Sequence, residues 1–376
     1  MLSPSSANAE PNLKNTAEID PATIDGGAFF SYSPGLPAIL HGLRCTLAVS
    51  TYQAGKMILV SSLNGKHIRM FGKNFPRPMG IAVQDNKMAV AGKYAVEVFA
   101  KSKGLAYSYP ENPKHFDSIY FPQTTYHTGF TDMHDLAWGN DGLWAVNTAF
   151  SCLVTMEEGF HFAPKWHPPF ITELSPDDRC HLNGLAMQDG QPAFVSMLGR
   201  SDTKEGWRGK HHEAGLIMDI RTNDVLLENL PMPHSPRVHG NKLYFLLSAI
   251  GKVMEFDLAT QSLRELCDTK CFIRGLDIYQ NFLFVGTSTI RQSSREFADL
   301  PVSRELPLAG VKIIDLNTGE IAGTLSFSER VLETFDVKII PGTIRTTIFT
   351  MSDEQALQGI MMANGYNCWM REIPKS

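Results

Sequence analysis

A short pattern recurs six times along this chain of 376 residues, and it constrains the fold more than any other feature. Each copy is a small, polar or bulky lead residue, a run of apolar residues, a polar turn and a second apolar run. The copies read MGIAVQDNKMAVAG (79–92), HDLAWGNDGLWAVN (134–147), NGLAMQDGQPAFVS (183–196), HSPRVHGNKLYFLLS (234–248), RGLDIYQNFLFVG (274–286) and FDVKIIPGTIRTTIF (335–349). Their first positions are Met79, His134, Asn183, His234, Arg274 and Phe335, at steps of 55, 49, 51, 40 and 61 residues. Two apolar runs around a tight Gly/Asn/Asp turn are the grammar of a β-hairpin. A second pattern follows several copies: an apolar run ending in Asp, a turn containing Thr, and another strand, as in LIMDIRTNDVLLENL (216–230), VMEFDLATQSLREL (253–266) and VKIIDLNTGEIAGTL (311–325). Two hairpins per repeat make four strands, and four-stranded repeats of this length are propeller blades. A helical solenoid would need apolar stripes of period 3.6, which are scarce here. The expected fold is all-β, a six-bladed β-propeller.

The chain also predicts how the ring closes. The sixth hairpin has no outer pair after it. LAVSTYQAGKMILVSSLNGKHIRMF (47–71) resembles FLLSAIGKVMEFDLATQSLRELC (245–267), each with a Ser, a Gly-Lys turn and further strands. The N-terminal strands are therefore expected to complete the blade begun at 335–349 and to leave no free sheet edge. On this reading residues 1–27 are a flexible polar lead, 28–350 the propeller and 351–376 a tail. Residues 353–363 are the best helical candidate.

Composition narrows the function classes. A net charge of −5 and a pI near 6.2 provide no overall attraction to nucleic acid or anionic membrane, so neither is expected as a partner. No stretch reaches the ~18 apolar residues that a spanning helix needs. The start lacks the basic and apolar regions of a secretory signal. The six cysteines show no CxxC pair and read as reduced thiols. A cytoplasmic location follows as the expectation. GxSxG, GxxxxGK[ST] and HExxH are absent, which sets aside the enzyme classes they mark.

Aligned repeats place equivalent residues at one height around a central channel. The ring is then Met79, His134, Asn183, His234, Arg274 and Phe335, with Asp135, His181, Arg237, Glu333 and Asp336 close by. Met79 and Phe335 interrupt it, so the polar part is off-centre. His134, His234, Arg274 and Asp336 are the candidate catalytic groups: imidazoles and a carboxylate for acid–base work, a guanidinium for an anionic substrate. Asn183, His181, Arg237 and Glu333 are the candidate ligand-binding groups. His134, Asn183 and His234 are candidate ligands for a divalent metal, the one cofactor this set suggests. The competing account is that channel polar groups only bind one another and water. Insertions at 103–133, 157–182, 197–214 and 288–308 are rich in aromatic residues, His and Arg, and such loops on a rigid scaffold usually carry binding.

Longer motifs point to a family. STYQAGK (50–56), PRPMGIA (76–82), HTGFTDMHDLAWGNDGLWAVNTAFSCL (127–153), PKWHPPFI (164–171), DDRCHLNGLA (177–186), DTKEGWR (202–208), MPHSPR (232–237), RGLD (274–277) and ETFDV (333–337) follow in this order. Over roughly 28–350 the chain resembles the bacterial family DUF4915, also designated TIGR03032, which implies no particular activity. NGLAMQDG (183–190) is also similar to the inner-strand element of the gluconolactonase and regucalcin propellers. That likeness implies a channel metal at Asn183, although Met79, His134 and His234 depart from the oxygen ligands of that group.

The functional expectation is a propeller that binds, or also transforms, a polar small molecule or peptide at the channel mouth, with metal-assisted hydrolysis of the lactonase kind or acid–base chemistry. The alternative is a non-catalytic scaffold or accessory protein whose loops grip a protein partner.

Overall fold

The computed structural model describes residues 30–290, 300–302, 309–328 and 330–370. The proposed lead at 1–27 and most of the 288–308 loop lie outside the described residues. Six small antiparallel sheets form a ring, and the expected six-bladed propeller is what the chain builds. The inner strands, in chain order, are Ile81–Gln84, Met133–Gly139, Leu182–Gln188, Pro233–His239, Phe272–Tyr279 and Asp336–Pro341. Each packs beside the next, and the last packs beside the first.

The alternation of apolar residues along these strands explains the packing. A blade is buried on both faces, so its strands present apolar side chains to two neighbours. One cluster joins Ala48, Met57 and Leu59 of the sixth blade to Ile81, Met88 and Val90 of the first. Another joins Val146 and Leu153 of the second to Leu185 and Val195 of the third. In the third, fourth and fifth blades the outer turn owes its shape to the Asp that ends the third strand: Asp219, Asp257 and Asp315. The Asp257 carboxylate accepts from the Ala259 and Thr260 amides at 2.9 Å, and Asp315 accepts from Asn317 at 2.8 Å. These are Asx turns, with the side chain standing in for a main-chain acceptor.

Hydroxyl latches tie four of the blades to the next. Ser50 donates to the Met79 carbonyl at 2.6 Å, Thr148 to Leu182 at 2.5 Å, Ser248 to Ile273 at 2.6 Å and Ser288 to Thr334 at 3.2 Å. In each case the acceptor lies where the chain enters the following inner strand. From the third blade to the fourth, the Asn183 amide takes this role, donating to the Pro233 carbonyl at 3.1 Å.

Ring closure follows the expectation in its main part. Cys45–Thr51 pairs antiparallel with Asp336–Pro341, and Lys56–Ser61 and Arg69–Asn74 follow outward. One part is corrected. Residues 335–349 are not a hairpin. After Asp336–Pro341 the chain leaves the sixth blade, and Thr346–Ile348 runs parallel to Ser118–His127 on the outside of the first. The Cys45–Thr51 strand already occupies the place beside Asp336–Pro341, so the returning strand must find another edge. Phe30–Tyr32 likewise caps the fifth blade by pairing with Ile321–Phe327.

Two of the insertions are partly blade. Ser118–His127 is the outer strand of the first blade and Ala163–Trp166 that of the second. Within 353–363 only Glu354–Gln358 is helical, and Gly359–Met361 pairs with Asn367–Trp369. This segment docks on the first blade. Trp369 packs edge-on against Phe121 at 5.6 Å and donates to the Leu105 carbonyl at 3.1 Å, while Lys73 pairs with Asp353 at 2.5 Å. All six cysteines are free thiols. No described helix is long and apolar enough to cross a membrane.

Candidate functional site at the channel mouth

The channel is divided at mid-height by a floor of paired charges. Arg237 makes a bidentate pair with Asp135 at 2.8 and 3.1 Å, and its Nε donates to the Leu276 carbonyl at 3.0 Å. Asp135 also accepts from the Leu185 amide of the next blade at 3.0 Å. Asp336 repeats this across ring closure, accepting from the Ile81 amide at 2.9 Å and from the Lys338 ammonium at 3.1 Å. Asp277 accepts from the Ile339 amide at 2.7 Å. Burial acts to raise the Asp135 carboxyl, but Arg237 and Lys338 outweigh it and hold the group below its ordinary value. Burial dominates at Asp336, which is raised despite Lys338. The inner strands approach closely here. A Cβ on Gly80 would lie 2.8 Å from the Asp135 backbone, and one on Gly275, whose φ is +79°, would lie 2.7 Å from that of Asp336.

Above the floor is a pocket of about 370 Å³. Its polar lining includes Asp132, His134, Asp178, His181, His234, Arg274 and Glu333; Tyr52, Trp207, Phe272 and Phe335 supply aromatic wall. The structure thus brings five of the expected residues together: His134, His181, His234, Arg274 and Glu333. Asp336 and Arg237 lie in the floor. Asn183 lies in the wall of the inner strand, buried.

The two ring histidines are held identically. His134 Nδ1 lies 3.1 Å from the Asp132 carbonyl and 2.8 Å from the Thr148 hydroxyl. His234 Nδ1 lies 3.1 Å from the Met232 carbonyl and 2.9 Å from the Ser248 hydroxyl. A carbonyl can only accept, so Nδ1 carries the proton in both rings. Both hydroxyls spend their own hydrogen on the latch carbonyls, which leaves their oxygens to accept as well. Burial pushes His134 down to about 4, with Asp132 opposing the shift, and pushes His234 down in the same direction. Both rings are therefore neutral near pH 7. With Nδ1 turned into the wall, the Nε2 lone pair on the far side of each ring faces the pocket.

His181 is built differently. Its Nδ1 donates to the Asp178 carboxylate at 2.8 Å, and the Trp207 indole donates to the same oxygen at 3.0 Å. Its ring lies 4.3 Å from Trp207 and 5.0 Å from His134. A carboxylate behind an imidazole fixes the orientation of the ring. Arg274 lies with its Cζ 3.7 Å over the Phe335 ring and contacts Glu333 at 3.3 Å. Burial lowers its pKa.

A second tier of lining residues comes from a positional rule absent from the sequence reading. The residues two before the ring positions are Arg77, Asp132, His181, Met232, Phe272 and Glu333. Five of these line the pocket. Arg77, Asp132, His181 and Met232 all have positive φ, at 51°, 55°, 51° and 56°. This left-handed turn carries the chain into the inner strand and is unusual for residues other than Gly. The signal was available as a fixed offset in the repeat. Asp178 and Trp207 lie outside any repeat position and had no such signal.

The metal expectation fits poorly. Asn183 Oδ1 accepts from Ser196 at 2.6 Å while its amide makes the latch to Pro233, so neither polar atom is open to an ion. Among the described residues no three His, Cys, Asp or Glu side chains come together as a metal site.

The family model described as a domain of unknown function, DUF4915, matches residues 34–349. No curated protein matches the chain. Among solved structures, the chain is similar to one in a nidogen/laminin complex, with a TM-score of 0.53 and 8% identity over 79% of this chain and 99% of that one. That likeness speaks for the propeller fold alone. A protein of unknown function from Bacteroides caccae matches at a TM-score of 0.47 and 9% identity, covering 79% of this chain and 98% of its own.

Proposed function

The chain belongs to the DUF4915 family, and from that footing we propose that the pocket at the channel mouth binds a small polar molecule carrying an anionic group and at least two hydrogen-bond donors, and that His181 exchanges a proton with it. The observation that carries this reading is the matched pair His134 and His234. Two blades separated by a full repeat present the same neutral imidazole, fixed by the same hydroxyl and carbonyl. Neutral Nε2 atoms accept hydrogen bonds from ligand hydroxyl or amino groups. Arg274 supplies the donor and charge for a carboxylate or similar anion, in a partly dry setting where such a bond is strong.

The three imidazoles divide the work. His134 and His234 are poor bases because burial disfavours their charged form. His181 is the ring whose Nδ1 donates directly to a carboxylate, that of Asp178 at 2.8 Å, which leaves Nε2 to meet the ligand. Trp207 and Phe335 close the sides against water. Proton transfer is assigned to His181, the ring fixed by Asp178 and packed on Trp207, with Arg274 to meet a developing negative charge.

Thermal-shift measurements with a panel of 2,3-dihydroxy and 2-amino carboxylates test the binding. Some of these compounds should raise the melting temperature of the unaltered protein, and His134→Phe/His234→Phe and Arg274→Gln variants that still fold should lose the shift. A shift that persists in both folded variants would place the ligand elsewhere.

A further inference from the structure

Arg77 is the one member of the second tier that does not line the pocket, and it stands at the rim beside Tyr52, which does. A continuous run of rings and cations leads to it from the pocket interior. Arg274 lies over Phe335 at 3.7 Å, Phe335 stacks on Tyr52 at 5.6 Å, and Arg77 lies over Tyr52 at 4.5 Å. Beyond Arg77 the run continues to Phe130, which is 62% exposed.

The two arginines are therefore mounted alike, each with a face against an aromatic ring. A guanidinium held by its faces keeps its N–H donors at the edge, where they match a carboxylate or phosphate. Their neighbours differ. Arg274 is contacted by Glu333, whereas among the described residues Arg77 has no carboxylate within ion-pair distance. Its backbone is held at a φ of +51° between Pro76 and Pro78, so the rim position is fixed by the chain as well as by the rings.

We infer that Arg77 is a second anion anchor for the ligand of this pocket, which is a two-ended anion: one anionic group at Arg274, a spacer along the edges of Phe335 and Tyr52, and a second anionic group at the rim. This rests on the reading of the pocket given above and adds the class of ligand. The spacer is apolar, because the wall between the two arginines is two stacked rings.

The test is calorimetric titration of the full chain with matched 2-amino monocarboxylates and 2-amino dicarboxylates of increasing length. At one chain length the dicarboxylate should bind about tenfold more tightly than its monocarboxylate partner, as a second charge-assisted contact provides. Arg77→Gln should remove that gain and leave monocarboxylate affinity unchanged. Arg77→Lys, which keeps the charge without the flat face, should retain part of it. Arg274→Gln should weaken both series. Equal affinity of the two series at every length, or a gain that survives Arg77→Gln, overturns the rim anchor while leaving the pocket reading in place. Failure of both series to bind the unaltered protein overturns the two together.

Discussion

The floor and the mouth of the channel use the same kinds of residue to opposite ends. In the floor, Asp135, Asp336 and Lys338 are buried, Arg237 is largely covered, and each carboxylate also accepts from a main-chain amide of the adjoining blade. Their capacity is spent within the protein, and what it achieves is the alignment of neighbouring inner strands. In the mouth, His134, His181 and His234 each spend one ring nitrogen on the wall and keep the other. Polar density in a channel is thus not evidence of a site. Unspent capacity at fixed positions is, and the comparison shows how to separate the two.

The sharpest way to break the comparison is to remove a floor charge. Arg237→Met leaves Asp135 buried without its paired guanidinium and should cost roughly 3–5 kcal/mol in urea unfolding. A loss of under about 1 kcal/mol would mean the floor is no more structural than the mouth. Next in size is the pH response of the mouth. His134 sits near 4 in the folded chain against 6.5 when unfolded, so between those values the unfolded state binds the extra proton. Stability is full above pH 6.5 and falls as the pH drops toward 4, by up to about 3 kcal/mol at about 1.4 kcal/mol per pH unit. His234 acts in the same direction. His134→Gln should flatten this slope, and an unchanged slope would contradict the burial of a neutral ring. Thr148→Val removes both the latch to Leu182 and one acceptor of His134, and should cost about 1–3 kcal/mol. It should leave the tautomer fixed, since the Asp132 carbonyl still accepts from Nδ1, and long-range nitrogen–proton NMR correlations of the imidazole would check this. Smallest of all, His134→Gln at pH 7.5 should change stability by no more than about 1 kcal/mol while abolishing ligand-induced stabilisation.

The repeat made the architecture readable because each blade must solve the same local problem: a lead residue, an alternating strand and a tight turn. Ring positions follow from that period, which is why His134, His234 and Arg274 could be placed at the mouth from the sequence. What the period hides is pairing across the ring. Asp135 and Arg237 are 102 residues apart, and nothing local marks them as partners, so Arg237 and Asp336 looked like site residues. Asn183 was misleading for the opposite reason: its place in the repeat suits a ligand, but Ser196 and Pro233 consume both its polar atoms. The parallel excursion of Thr346–Ile348 was equally hidden, since a hairpin motif records which residues favour strands and not which strand lies beside them.

The sixth blade also sets an order of events. Its inner strand comes from Asp336–Pro341 and its other three from the first part of the chain. During synthesis, Cys45–Thr51 must wait as an uncovered edge while five blades form behind it. Phe335 and Glu333 arrive with that late strand, and Tyr52 was waiting opposite. The binding pocket and the closed ring are therefore finished by the same stroke, and a nascent chain has no mouth to fill until it has become a circle.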